Sequence, residues 1–423
     1  MEKTNTSARL WTRDFTIITI GSVISMLGNM LSGFAISLMV LDKTESTLLY
    51  VLFNICWQIP MLVCPLLAGP YLDRMSRKKV IYGLDFLSAG IYLVLFLVLR
   101  TGWFHYPTML AGCLLVGAIN SVYMVAYDSF YPNLISEGNY GKAYSVSSIM
   151  MDMAALAYPL GAILYEKVGI APLFAITAAS FFIAACFECS IGYQETHMAA
   201  APPADGMGTL RRFRRDFREG LQYMVQEKGL LVITLYFMVS GFAGGGADQL
   251  HLPFFRNNAH LFLIWGIAAE TLYAVLSNFA VVGRAIGGFI HYKVKFPVEK
   301  KFAIALTVYI TINILEGACL WLPVPLMALS FFISGLLGVT SFNIRISATQ
   351  SYIPDGMRGR FNGTFQMLCS IGGIAGSLTA GTLAEFMPER WAVSLLAGVG
   401  LLGVYLLMYR GRTHVAAIYN RKV

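Results

Sequence analysis

The sequence predicts an all-α integral membrane protein of twelve transmembrane helices in two six-helix halves. Three observations carry this prediction: the composition, the length of the apolar blocks and the placement of the cations. Of 423 residues, 57% are hydrophobic and 13% charged, whereas a soluble domain carries about a quarter charged residues. The mean hydropathy is +0.63. The apolar residues fall in blocks of about 20 or more, enough to cross a hydrocarbon layer at about 1.5 Å per residue. A helix satisfies its own backbone within such a block, which makes it the spanning element.

Residues 1–13 are polar, and the first apolar block, Phe15 to Leu41, is too long for a signal h-region and has no clear cleavage site. It is read as a retained first span. The spans are placed near 14–40, 47–69, 79–100, 108–130, 143–166, 170–192, 229–252, 268–291, 301–322, 325–347, 361–385 and 390–410. Between the seventh and eighth, Arg256, Asn257 and Asn258 interrupt the pattern before "HLFLIWGIAAE", which reads as a long outer loop with some helix of its own. With the N-terminus inside, the inner segments hold 24 of the 31 Lys and Arg and the outer ones five, with Arg284 and Arg345 inside spans. This bias puts both termini in the cytoplasm and accounts for the net charge of +8 without a nucleic-acid partner.

The long connection divides the chain into an N-terminal half (1–192), a linker (193–228) and a C-terminal half (229–423). It opens with the Ala/Pro/Gly run "HMAAAPPADGMG" and continues as "TLRRFRRDFREGLQYMVQEKG", where Leu210, Phe213, Phe217, Leu221 and Met224 recur at helical spacing. A basic amphipathic helix of this kind is expected along the inner membrane surface. The halves echo one another. "LISEGNYGKAY" at 134 aligns with "YIPDGMRGRFN" at 352, matching an acid, two glycines and a basic residue. "GFIHYKVK" at 288 repeats the glycine and some cations of "GPYLDRMSRKK" at 69, with Tyr292 in place of Asp73. Such half-chain repeats mark secondary transporters.

The stretch "GPYLDRMSRKK", between the second and third spans, resembles the loop motif of the major facilitator superfamily in Gly69, Leu72, Asp73, Arg74, Arg77 and Lys78, departing at Pro70, Tyr71 and Ser76. "QSYIPDGMRGRFNG" looks like the loop before helix eleven in the macrolide and siderophore exporters of that superfamily. The resemblance implies that Asp73 faces the start of helix eleven near Asn362 and Gly363, where a carboxylate is favoured by unpaired N–H groups and the macrodipole. It also implies that Arg77 pairs with Asp128 at the inner end of helix four, the two contacts forming an inner gate. Two departures stand out: the fourth span "TMLAGCLLVGAINSVYMVAY" lacks the arginine of many proton-driven exporters, and the helix-five glycine–proline pattern is partial, as "AYPLGA".

Ionisable residues inside spans cost about 3 kcal/mol each on the insertion scale and so face the interior or a partner. Asp152 lies on a stripe with Ser145, Ser148, Ala155 and Pro159, roughly 13 Å deep by helical rise, with Arg284 roughly 10 Å deep in the eighth span. In the superfamily helices five and eight pack together, so Asp152 and Arg284 form a second inner latch, or Asp152 carries the coupling proton, or the two are unconnected. Asp248 and Gln249, after the helix-loosening run Gly244–Gly246, line the outer mouth or mark a helix end. Asn29 and Asn120, at mid-depth in spans one and four, orient a substrate or bond neighbouring helices. Asn343 and Arg345 sit low in the tenth span and are expected at the inner interface. The runs "GRAIGG" and "GGIAGSLTAG" read as close helix packing.

No Walker motif is present, which argues against an ATP-driven pump. The seven cysteines lie in apolar blocks and are read as buried small hydrophobes, including the C-x-x-C of Cys186 and Cys189, so no metal or cofactor is expected beyond a coupling proton. No span or loop gathers nucleophile, base and acid, so no catalytic residues or enzyme activity are expected. The expected protein is a monomeric cell-membrane transporter working by alternating access, exporting a small amphipathic organic compound against protons. The alternatives are a lysolipid or siderophore transporter, and a non-transporting sensor on the same fold.

Overall fold

The computed structural model describes residues 10–72, 75–136, 143, 146–147, 150, 157–195, 209–293 and 297–421. Side chains at 65–72, 209–210, 212–213, 216, 291–293, 350, 355–356 and 358–359 lie outside that description. Eleven helices among the described residues are long and apolar enough to cross a membrane. Within the expected fifth span, 143–166, residues 144–145, 148–149 and 151–156 lie outside the described residues.

The first part of the chain forms α1 (Arg13–Thr44), α2 (Thr47–Leu72), α3 (Arg77–Arg100), α4 (Tyr106–Phe130), α5 (Tyr158–Val168) and α6 (Ile170–Cys189). There follow α7 (Thr209–Gln226), α8 (Lys228–Asn257), α9 (Ala269–Lys293), α10 (Lys301–Cys319), α11 (Val324–Tyr352), α12 (Asp355–Ala384), α13 (Glu389–Gly403) and α14 (Arg412–Tyr419). They gather into two compact units, residues 1–43 with 56–210 and residues 44–55 with 211–423. The opening turns of α2 thus group with the second unit.

Local chemistry sets the helix ends. Ser76 caps α3, its hydroxyl accepting from the Lys79 amide at 3.2 Å. A second cap comes from afar: Glu195 Oε1 accepts from the Arg77 amide at 2.9 Å, and Oε2 accepts from the Ser76 hydroxyl. A carboxylate at a helix start meets unpaired N–H groups and the positive end of the dipole. Gly169, at φ 77°, separates α5 from α6 in a conformation that glycine adopts without strain.

In the second unit α8 packs lengthwise against α12. The run Gly244–Gly246 was expected to loosen the helix, yet α8 is continuous through it. The reason is packing: a Cβ at Gly246 would come 2.7 Å from the Gly376 carbonyl, and one at Gly376 would overlap the Phe242 carbonyl. The backbones touch because neither carries a side chain there. α9 and α11 repeat the device, with Gly283 against Phe332 and Gly335 against Ala280.

The basic helix α7 does more than lie on a surface. Met224 is fully buried in the core formed by α8, α10, α11 and α12. Gly220 is seated on Arg360 and Thr364, and Arg360 pairs with Glu219 at 3.0 Å. Leu221 and Val225 stay exposed, leaving an apolar face beside the docked one. The region after α8 is a 3₁₀ turn, Ala259–Trp265, with Leu263 and Ile264 exposed. The chain closes with α14, whose Tyr419 hydroxyl meets that of Tyr309 at 3.0 Å. Asn420 Oδ1 then accepts from the Phe302 amide at 2.9 Å, capping the start of α10.

Candidate functional site: a buried carboxyl pair in the first unit

α3 and α6 pack closely along their length and bring Asp85 against Glu188, 1% and 0% exposed respectively. Their carboxyl groups are neighbours, and Asp85 Oδ2 and Glu188 Oε2 are buried with no donor among the described residues. The Tyr123 hydroxyl, from α4, donates to Glu188 Oε1 at 3.3 Å. On the α1 side Gly21 is the neighbour, and a Cβ there would come 3.4 Å from Glu188 Cγ. A hydrogen bond between two carboxyl groups needs a donor, and a carboxylate has none. One proton held by the pair would supply that donor. The alternative, two carboxylates side by side away from water, is prohibitive.

Asp85 lines a narrow cleft of about 50 Å³ together with Asn29, Ser88, Asn120, Tyr123 and Trp57. That is space for a few water molecules. Glu188 lies behind Asp85 and does not line the cleft. Asp85 is eight residues into α3, roughly 12 Å from that helix's start by helical rise. The arrangement can take a proton from water onto Asp85 and pass it to Glu188. Of the asparagines, Asn29 Oδ1 accepts from the Tyr92 hydroxyl at 3.4 Å and Asn120 contacts Met61 Sδ at 3.9 Å.

The sequence profile of the Major Facilitator Superfamily matches residues 18–377. The chain belongs to the Major Facilitator Superfamily. It is 24% identical to the uncharacterized MFS-type transporter YkuC of Bacillus subtilis (strain 168) over 67% of this chain and 66% of the relative. It is 25% identical to macrolide efflux protein A of Streptococcus pyogenes over 56% of this chain and 58% of that protein. The matched stretch thus spans just under two thirds of the first relative and less of the second. The nucleoside transporter NupG shares the fold, with a TM-score of 0.69 at 14% identity over 95% of this chain and 100% of that one.

The superfamily loop motif falls at the start of α3. Asp73 and Arg74 lie outside the described residues, as does the Gly69 position beyond its place in helix α2. The Arg77 guanidinium donates to the Ser129 carbonyl at 2.9 Å, next to Asp128, whose side chain is exposed. Lys78 Nζ donates to the Ile191 carbonyl at 2.7 Å. These cations thus knit the ends of α3, α4 and α6 within one unit. Asp152 lies outside the described residues, and Arg284 is exposed on α9.

In the second unit, Gln249 Oε1 accepts from Asn54 Nδ2 at 2.9 Å, and the Asp248 side chain is exposed beside His251. Arg345 is held in an aromatic cage, its guanidinium 5.1 Å from the Phe237 ring, 5.3 Å from Phe342 and 4.6 Å from Phe365. Cation–π attraction replaces a carboxylate partner there.

Sequence reasoning missed Asp85, Glu188, His251 and Glu316. The signal was available for each: an ionisable residue inside an apolar run.

Proposed function

We propose that the protein is a secondary transporter of the cell membrane, with both termini in the cytoplasm, exporting a small amphipathic organic molecule in exchange for protons. It works as a monomer by alternating access. The single observation that supports the proton coupling is the Asp85–Glu188 pair: two buried neighbouring carboxyls, one of which lines a cleft with room for water. Changing access to that cleft changes whether the proton stays or leaves. The cargo class is supported by the likeness to macrolide efflux protein A and by spans rich in Phe, Tyr, Met and Leu with few charges. Gly69, Asp73, Arg74, Arg77, Lys78 and Asp128 serve as the inner gating motif in this reading, and Asp152 and Arg284 as a second latch.

The test is transport by the purified protein in proteoliposomes, with a macrolide as first cargo and a lysolipid and a siderophore as comparators. A pH gradient drives accumulation of the cargo in the wild type. Asp85→Asn keeps cargo-for-cargo counterflow and loses the response to the gradient. Absence of counterflow for every cargo would favour a sensor on the same fold. Full gradient response in Asp85→Asn would remove the pair from the coupling step.

A further inference from the structure

The outer part of the second unit contains a second cluster that proton-coupled export does not use. Asp248 and His251 stand one turn apart on α8, and Glu316 approaches from α10. One ligand atom from each of the three lies within 4.8 Å of the others. His251 is 2% exposed, ringed by Phe331 and Tyr273 at centroid distances of 5.5 and 6.2 Å. Its Nε2 is 3.3 Å from Glu316 Oε1, and its Nδ1 is 3.9 Å from Asp248 Oδ1.

The buried His251 Nε2 and Glu316 Oε1 stand 3.3 Å apart without hydrogen-bond geometry between them, and neither has another partner among the described residues. Unpaired buried polar atoms are rare in folded proteins and point to an occupant. The charges point the same way. With both carboxyls ionised beside a neutral imidazole the cluster would carry minus two, the charge that a divalent cation cancels. Arg256 is taken by Glu270 at 2.8 Å. Arg284 makes no ion pair with Asp248 among the described residues.

We propose that Asp248, His251 and Glu316 form a binding site for one divalent first-row transition-metal ion. Such an ion neutralises the site, and its ligand chemistry fits: imidazole nitrogen with carboxylate oxygens suits zinc, cobalt and manganese, and leaves coordination positions open. Metal–ligand bonds of about 2.0–2.1 Å set tetrahedral ligand atoms about 3.3 Å apart, which is the His251 Nε2–Glu316 Oε1 separation. A rotation of the exposed Asp248 side chain would close the remaining distance.

The test uses the full chain purified without a histidine tag and titrated with Co²⁺ and Zn²⁺ in metal-free buffer. Calorimetry should give one ion per chain, and bound Co²⁺ should show the ligand-field absorption of a low-symmetry nitrogen–oxygen site. His251→Gln and Glu316→Gln each weaken binding by about tenfold or more, while His260→Gln, outside the cluster, leaves it unchanged. Asp248→Asn, at an exposed position, weakens binding with no change in the metal-free melting temperature, so the result stands if a buried variant misfolds. No saturable binding would overturn the proposal, as would binding that all three cluster variants retain.

Discussion

Replacing Glu188 in two different ways tests whether the carboxyl pair is held by a shared proton. Glu188→Ala removes the partner of both Asp85 and the Tyr123 hydroxyl. Two buried polar groups are then left unpaired at about 1–3 kcal/mol each, a total of about 2–6 kcal/mol. Glu188→Gln keeps both contacts. Its carbonyl accepts from Tyr123 and its amide donates to Asp85, so the expected change is within about 1 kcal/mol. Since about 1 kcal/mol moves the midpoint of a unit this size by 2–4 °C, the alanine variant should melt roughly 10 °C below the glutamine one. Thermal unfolding in detergent, followed by intrinsic fluorescence, reads the difference. Equal destabilisation by Gln and Ala would refute the shared proton, because it would mean that a charge at Glu188 is required. No cost for Ala would refute the pair itself.

Three further outcomes follow from the packing. Gly376→Ala drives a methyl into the Phe242 carbonyl and should cost about 1–3 kcal/mol or more, whereas Gly398→Ala, which meets nothing within 4 Å, should leave the melting temperature unchanged or slightly raised. Glu195→Gln weakens the remote cap on α3 by about 1 kcal/mol, so hydrogen exchange at the Arg77 and Lys78 amides should quicken about fivefold. Tyr352, beyond the end of its span, donates to Glu227 at 2.6 Å. That bond, with burial second, holds its phenol above the usual 10.0. Its contribution is therefore complete below pH 10 and lost as pH rises through the raised value. Protease sensitivity of α7 should rise at alkaline pH in the wild type, and Tyr352→Phe should show that sensitivity already at neutral pH.

Much of the fold was legible because a bilayer imposes length and hydropathy directly on the sequence. The apolar blocks mark where helices run, and "GRAIGG" and "GGIAGSLTAG" mark where backbones touch. What was not legible depends on which faces meet. Gly244–Gly246 reads as loosening in isolation, and only α12 opposite, with Gly373 and Gly376, makes it a contact. The apolar stripe of α7 suits a membrane surface equally well until Met224 is seen buried beneath it. Asp85 and Glu188 are 103 residues apart and each is a lone acid in an apolar run; Glu188 was further masked by the cysteines on either side. His251 and Glu316 show the same difficulty. Nothing in either helix alone announces the other, and the loop-motif residues that were legible owe that to a contiguous stretch of sequence.

In the proposed mechanism, cargo and proton share one machine through Asp85 and Glu188. Proton release on cargo binding tests it most directly, measured with a pH indicator on detergent-solubilised protein in weakly buffered solution. With a cargo that supports counterflow, the wild type should release about one proton per molecule bound, and the Asp85→Asn, Glu188→Gln double variant none. No release from the wild type, or the same release from the double variant, would contradict the account.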